Sequence, residues 1–218
     1  MKLFVFCLLL LVTTARLYGQ GYNAALKKQL DSVWQRDQQY REILSNGIAD
    51  STQKDSLAKA LHLPANSIIN ALWKLQNAID SADIIFIEGV FVRYGYPGKT
   101  LVGLPTNEAA WNVVQHSVKI DKYLPLIKKE AEQKELPFKL YAMMYDRYLV
   151  EHKQEQVYGS QITMLHLKTG ENDWFVWPIK NPEKVNQLRK QAGFTETVEE
   201  NAKRLDVVYR VIKMGEIK

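Results

Sequence analysis

The spacing of the apolar residues constrains this chain more than any other feature. Along most of its length they recur at steps of three and four, the spacing of one helix face, and only after residue 160 does the period drop to two. In "YNAALKKQLDSVWQRDQQYREIL" the stripe is Leu26, Leu30, Val33, Tyr40 and Leu44, with Asp37 standing where an apolar residue belongs, and Gly47 ends the helix. "DSTQKDSLAKALHLP" supplies a Ser/Thr cap, a short helix and a proline stop. "SIINALWKLQNAI" reads as another helix or as half of a longer one. "SADIIFIEGVFVRYGYPG" has the composition of a strand. Its Ile84, Ile87 and Phe91, however, repeat at helical steps before Gly95, so it is read as helix. "GYPGKTLVGLPT" is a rigid connection built from turn residues.

Three helices are expected next. Thr106 or Asn107 caps "NEAAWNVVQHS", and Asp121 caps "KYLPLIKKEAEQ", with Pro125 tolerated near the first turn. "PFKLYAMMYDRYLVEHK" opens on proline and aligns Leu140, Met143 or Met144, Arg147 and Val150 along one side. The change of period comes in "SQITMLHLKTGENDWFVWPI", two strand-like runs around "KTGEND". Trp174 and Val176 share one strand face, Phe175 and Trp177 the other; one face is expected in the core, the other as an exposed aromatic surface. "NPEKVNQLRKQAG" is a capped helix stopping at Gly193, and "TVEENAKRLDVVYRVIK" a last helix. The expected fold is mainly α: a single helical domain over residues 20–218 with one small antiparallel β-hairpin near residues 160–178.

The first residues, "MKLFVFCLLLLVTTARLYGQ", place Lys2 before an apolar run of ten residues, Leu3 to Val12. That run falls short of the roughly 20 residues of a membrane-spanning helix and suits a secretory signal. Residues 1–19 are therefore expected to be a cleaved signal peptide, an uncleaved anchor or lipidated leader being the alternatives; Cys7 lies inside the apolar run, where lipidation is poorly placed. The expected location is the periplasm or the extracellular space. Cys7 is the chain's single cysteine, so the remainder must close by packing alone. Without Lys2 and Arg16, 27 basic side chains face 24 acidic ones. So small and mixed an excess argues against a nucleic-acid partner. No later stretch is long or apolar enough for a membrane span.

The order G-Y-P-G…L-V-G…A-A-W…V-Q-H…D, then D-R-Y-L-V, Q-x-Y-G-S-Q, W-P-I-x-N-P-E and R-K-Q-A-G-F resembles the bacterial family DUF6624 over about residues 80–195. The resemblance implies a helical domain and no established reaction. Gly95, Tyr96 and Pro97 match the family's G-W-P element, with tyrosine for tryptophan. Gln115 and His116 match its Q-H, while Ser117 and Val118 stand at the A-D that follows. Asp146 and Arg147 match D-R; Gln156, Tyr158, Gly159, Ser160 and Gln161 match Q-x-Y-G-T-Q with serine for threonine; Lys190 stands for a second arginine.

Read as chemistry, His116 near a helix end is the foremost proton-transfer candidate, the alternative being a histidine that holds the next loop. Asp146 and Arg147 are neighbours on a helix, so their side chains diverge by about 100° and need different partners. A buried Arg–carboxylate tie is the first expectation for Arg147, a fork presented to an anionic ligand the second. Tyr158, Gly159 and Gln161 precede the hairpin, with glycine at a left-handed or crowded position and the side chains satisfying a turn or a ligand. Candidate catalytic residues are thus His116, Asp146 and Tyr158; candidate ligand contacts are Gln115, Arg147, Gln156 and Gln161.

Several chemistries find no support. His62, His116, His152 and His166 lack metal-site spacing, no G-x-S-x-G or S-x-x-K occurs, and "GYPGKT" lacks the first glycine of a phosphate loop, with Arg93 in its place. Neither metal nor cofactor is expected. Three functional readings follow. The leading one is an exported, non-catalytic domain binding a small polar or anionic ligand or an envelope protein. The alternatives are a metal-independent cell-envelope hydrolase using His116 and Asp146, and a purely structural envelope protein.

Overall fold

The computed structural model describes residues 21–48 and 50–218; the expected signal peptide, residues 1–19, lies outside the described residues. The first stripe is divided between two helices, not one. α1 (Ala24–Gln38) is capped by the Asn23 side chain and buries Leu26, Leu30, Val33 and Asp37. The chain then turns at Tyr40, whose N–H donates to Gln76 Oε1 at 3.3 Å, and α2 (Arg41–Asn46) runs on to Gly47. A buried side chain from a distant helix has captured an N–H that would have continued the ladder. α3 (Ser51–Leu61) is capped by Asp50, which accepts from Gln53 N at 2.8 Å, not by a Ser or Thr.

α4 (Ile68–Tyr94) joins "SIINALWKLQNAI" and "SADIIFIEGVFVRY" into one helix of 27 residues, about 40 Å long. Its inner face carries Leu72, Gln76, Asp83, Ile84, Ile87 and Val90. The connection beyond Gly95 holds the short α5 (Lys99–Val102).

α6 (Ala109–Gln115), α7 (Ile120–Glu132) and α8 (Phe138–Glu151) follow. Neither Thr106 nor Asn107 caps α6; Thr106 donates to Asp31 at 2.6 Å and Asn107 to the Glu135 carbonyl at 2.8 Å. Asp121 lies inside the first turn of α7, where its charge favours the helix dipole without capping. Pro125 is also inside α7, and exposed, so water can satisfy the carbonyl its missing N–H leaves free. The buried side of α8 comprises Leu140, Tyr141, Ala142, Met144, Asp146 and Leu149. Arg147 and Val150 are only half-buried, so the expected stripe is rotated; α8 is covered from two sides, by α7 and by α9 (Val185–Ala192).

The hairpin pairs β1 (Ile162–His166) with β2 (Asn172–Val176) in antiparallel register, from Ile162 opposite Val176 to His166 opposite Asn172. Both of its faces are covered. Ile162 and Val176 pack with Val185 of α9 and with Val198 and Ala202 of α10 (Val198–Arg204). Leu165 and Phe175 pack with Ile212 from the C-terminal segment. Exposure therefore varies along the strands and not between faces: Met164 and Trp174, paired near the turn, stand out in solvent. The last helix is shorter than its apolar pattern suggested. A Thr197–Glu200 capping box starts α10, but Asp206 takes φ 58°, and the β-branched residues beyond it run extended with Val207 and Ile212 buried and Val208 exposed.

The principal core lies among α1, α4, α6, α7 and α8, around Leu30, Ile87, Trp111, Ile127 and Met144. Smaller clusters sit under the hairpin and between α3 and the start of α4. Among the described residues no helix is long and apolar enough to cross a membrane.

Candidate functional site

α8 holds two segments at once, and the divergence of adjacent helix positions is the reason. Asp146 is fully buried. Its Oδ1 accepts from Val157 N at 2.8 Å and Tyr158 N at 3.0 Å, and its Oδ2 accepts from Ser160 N at 2.9 Å. Burial pushes its carboxyl above the usual range, against those backbone hydrogen bonds. Arg147 points elsewhere: Nη1 donates to the Gln115 carbonyl at 2.6 Å, at the end of α6. That carbonyl is one of the four a helix end leaves unpaired. The partner of Arg147 is thus a carbonyl, not the expected carboxylate.

The loop that Asp146 grips closes on itself. Gln156 is fully buried; its Nε2 donates to the Trp177 carbonyl at 2.7 Å and the Gln161 carbonyl at 3.1 Å, and its Oε1 accepts from Gln161 N at 2.9 Å. Gln161 Nε2 reaches Ser160 Oγ at 3.1 Å. Gly159 has φ +65° and sits where a Cβ would come within 2.8 Å of both Ile179 and Val198, so the left-handed and the crowded expectation both apply. Tyr158 stacks on Phe194 with ring centroids 6.2 Å apart, and burial raises its phenol.

One residue here escaped the sequence reading. Arg189 is buried at 2 % exposure, donates to the Tyr158 carbonyl at 2.9 Å and the Glu196 carbonyl at 2.8 Å, and lies over the Phe194 ring. A helical arginine in a buried stripe was the available signal.

His116 belongs to a different junction. Its Nδ1 lies 3.2 Å from Asp37 Oδ1, so the carboxylate facing the ring is Asp37 and not Asp146. Asp37 also takes Gln38 Nε2 at 2.6 Å and has the Arg41 guanidinium 3.5 Å away. Burial pushes its carboxyl up, but His116, Arg41 and Gln38 together outweigh burial and hold it below the usual range. Gln76 completes the junction, donating to the Asp37 carbonyl and to Asp80, which pairs with Arg41 at 2.5 Å. The sequence did flag Asp37, as the charge interrupting an apolar stripe. Gln115 only reaches back to Asn112, at 3.4 Å.

The seven selected residues therefore split into two groups. Asp146, Gln156, Tyr158 and Gln161 meet at the hairpin approach, while Gln115 and His116 sit at the α6 end, with Arg147 linking the groups. Among the described residues, nothing hydrogen-bonds His116 Nε2, and no group of three His, Cys, Asp or Glu side chains is placed to hold a metal ion. A groove of about 530 Å³ lies nearby, between Arg36 and Tyr40 on one side and Leu75, Ala78, Ile79, Ala82 and Asp83 of α4 on the other. Neither His116 nor the hairpin approach lines it.

A family model, DUF6624, described as a family of unknown function, matches residues 37–213. The match reaches further toward both ends than residues 80–195 and takes in both Asp37 and His116. No curated protein and no solved structure matches the chain.

Proposed function

The chain belongs to the DUF6624 family, and we propose that this member is an exported, non-catalytic domain that docks a partner on the outer face of α4. The observation that carries this reading is that face itself. Leu75, Ile85 and Val92 stand exposed along the longest helix, beside the groove closed by Arg36 and Tyr40, and apolar surface gathered on one helix face marks an interaction site. The selected polar residues support it from the other direction. Asp146 and Gln156 are engaged in holding backbone groups, and Gln161 reaches the Met143 carbonyl and the Ser160 hydroxyl, which leaves little for a substrate. Export is supported by Lys2, the apolar run after it and the cysteine-free remainder.

Side-chain oxidation footprinting, with and without an envelope extract from the native cells, tests this. Leu75, Ile85 and Val92 are expected to lose reactivity while His116 and Tyr158 keep theirs. Protection centred on His116 instead would overturn the reading.

One observation favours a second reading, the metal-independent hydrolase. A buried carboxylate on Nδ1, with Nε2 free among the described residues, is the disposition of a general base. Turnover of ester, amide or glycoside substrates that disappears in both His116→Ala and Asp37→Asn would establish it; absence of turnover in the unaltered protein removes it.

A further inference from the structure

Leu75, Ala78, Ile79 and Ala82 follow along α4 at helical spacing, so they share one face and form an apolar floor about 10 Å long. Arg36, near the end of α1, and Tyr40 just beyond it make the facing wall of the groove. At the end of this floor stands Asp83, a carboxyl beside four apolar residues. It is 1 % exposed. Its Oδ1 accepts from Arg36 Nη2 at 2.5 Å, but Oδ2 is shielded from solvent and accepts from nothing among the described residues. A buried carboxylate oxygen without a donor costs free energy, and native folds leave few of them.

We propose that the groove binds a small amphiphilic molecule carrying a primary ammonium on an apolar stem, with the ammonium on Asp83 and the stem along Leu75, Ala78, Ile79 and Ala82. This goes beyond the reading of α4 as a docking face and does not depend on it, since Ile85 and Val92 lie outside the groove.

Size points to a small molecule. A groove of about 530 Å³ falls within the roughly 300–1,000 Å³ of small-ligand sites, and one charged anchor against apolar walls is their usual lining. Charge selects a cation. Burial pushes the Asp83 carboxyl above the usual range, Asp37 and Asp80 push it further, and Arg36 does not offset them. Arg41 cannot help, because it is paired with Asp80 at 2.5 Å and lies 3.5 Å from Asp37. A carboxylate so short of positive charge takes up an ammonium and repels an anion.

Arg36 is the resident stand-in for that ammonium. Its side chain is 48 % exposed, so its pair with Asp83 is screened on one side and open to exchange. A ligand ammonium that replaces the guanidinium is the more compact head, and its three donors can serve both carboxylate oxygens. Its stem also covers Leu75, Ala78 and Ala82, which the resident arginine leaves exposed.

The test titrates n-hexylammonium into the protein purified from its native cells, followed by ligand-observed NMR, with n-hexanol and hexanoate as matched controls. Saturable millimolar binding is expected for the amine. Hexanol should bind at least about tenfold more weakly, the step expected for a charge-assisted hydrogen bond, and hexanoate should not bind. Asp83→Asn should weaken the amine by a similar factor. Ala82→Leu fills the groove from an exposed position, so it should abolish binding with Tm unchanged, and it keeps the test decisive if Asp83→Asn does not fold. Arg36→Gln removes the competing cation and should tighten binding severalfold. The proposal is overturned by the absence of saturable binding, by hexanol binding as well as the amine, by binding that survives Ala82→Leu, or by weaker binding in Arg36→Gln. Tighter binding of an N-acetyl-lysine amide than of hexylammonium would make the occupant a lysine side chain of a protein partner, and would overturn the small-molecule assignment.

Discussion

His116 Nδ1 sits 3.2 Å from Asp37 Oδ1, a carboxylate 79 positions earlier in the chain, and this contact joins the end of α1 to the end of α6. Asp37 is 1 % exposed and its carboxyl is held below the usual range, so the junction depends on its charge. A carboxyl whose folded value is depressed stabilises the fold above its unfolded value, here near 3.8, and loses that contribution as pH falls through the folded value.

Acid unfolding therefore reports on this contact. Asp37→Asn is expected to destabilise the protein at neutral pH by about 1.5–3 kcal/mol, the range for a charged hydrogen bond. It should also flatten the fall in stability on acidification below about pH 4. Urea midpoints measured from neutral pH to pH 3 for the two proteins check it, and curves that stay parallel would show that Asp37 carries no such linkage.

Asp146 is the anchor of the hairpin approach. Asp146→Ala leaves the Val157, Tyr158 and Ser160 N–H groups without their acceptor, at about 1–3 kcal/mol for each group that finds no water. A total loss of at least about 3 kcal/mol is expected. Asp146→Asn keeps one acceptor oxygen and should lose less. Equal losses in chemical denaturation would contradict the capping role.

Arg147→Ala should be the milder change. Its guanidinium is half-buried and donates to a carbonyl, so no carboxylate is stranded by its removal. The expected cost is about 1–2 kcal/mol, below the roughly 3–5 kcal/mol of a broken buried ion pair. Denaturant titration distinguishes the two ranges.

Gly159→Val meets both a positive φ and two close contacts, to Ile179 and Val198. A loss of about 1–3 kcal/mol is expected, with Gly159→Ala toward the lower end. A change below about 0.5 kcal/mol would mark the position as ordinary.

Much of the architecture was legible without tertiary information. The helix read over "SADIIFIEGVFVRY" against its strand-like composition is the second half of α4, and the change of period after residue 160 marks the hairpin, whose first strand begins at Ile162. That Asp146 and Arg147 would reach different segments also followed from helix geometry alone. These are local consequences: periodicity and the angle between neighbours are properties of a few consecutive residues.

What tertiary structure decided were the contacts between segments far apart in sequence. Nothing within a few residues of Tyr40 says that Gln76 will intercept its N–H and split the first helix. Nothing near Val207 says that packing against the hairpin and α10 will favour an extended chain over another helical turn. The choice of Asp37 over Asp146 as the partner of His116 has the same origin. A charge on an apolar face announces that it needs a partner, but which one it meets depends on how α1 packs against α6, and that is settled by the core between them.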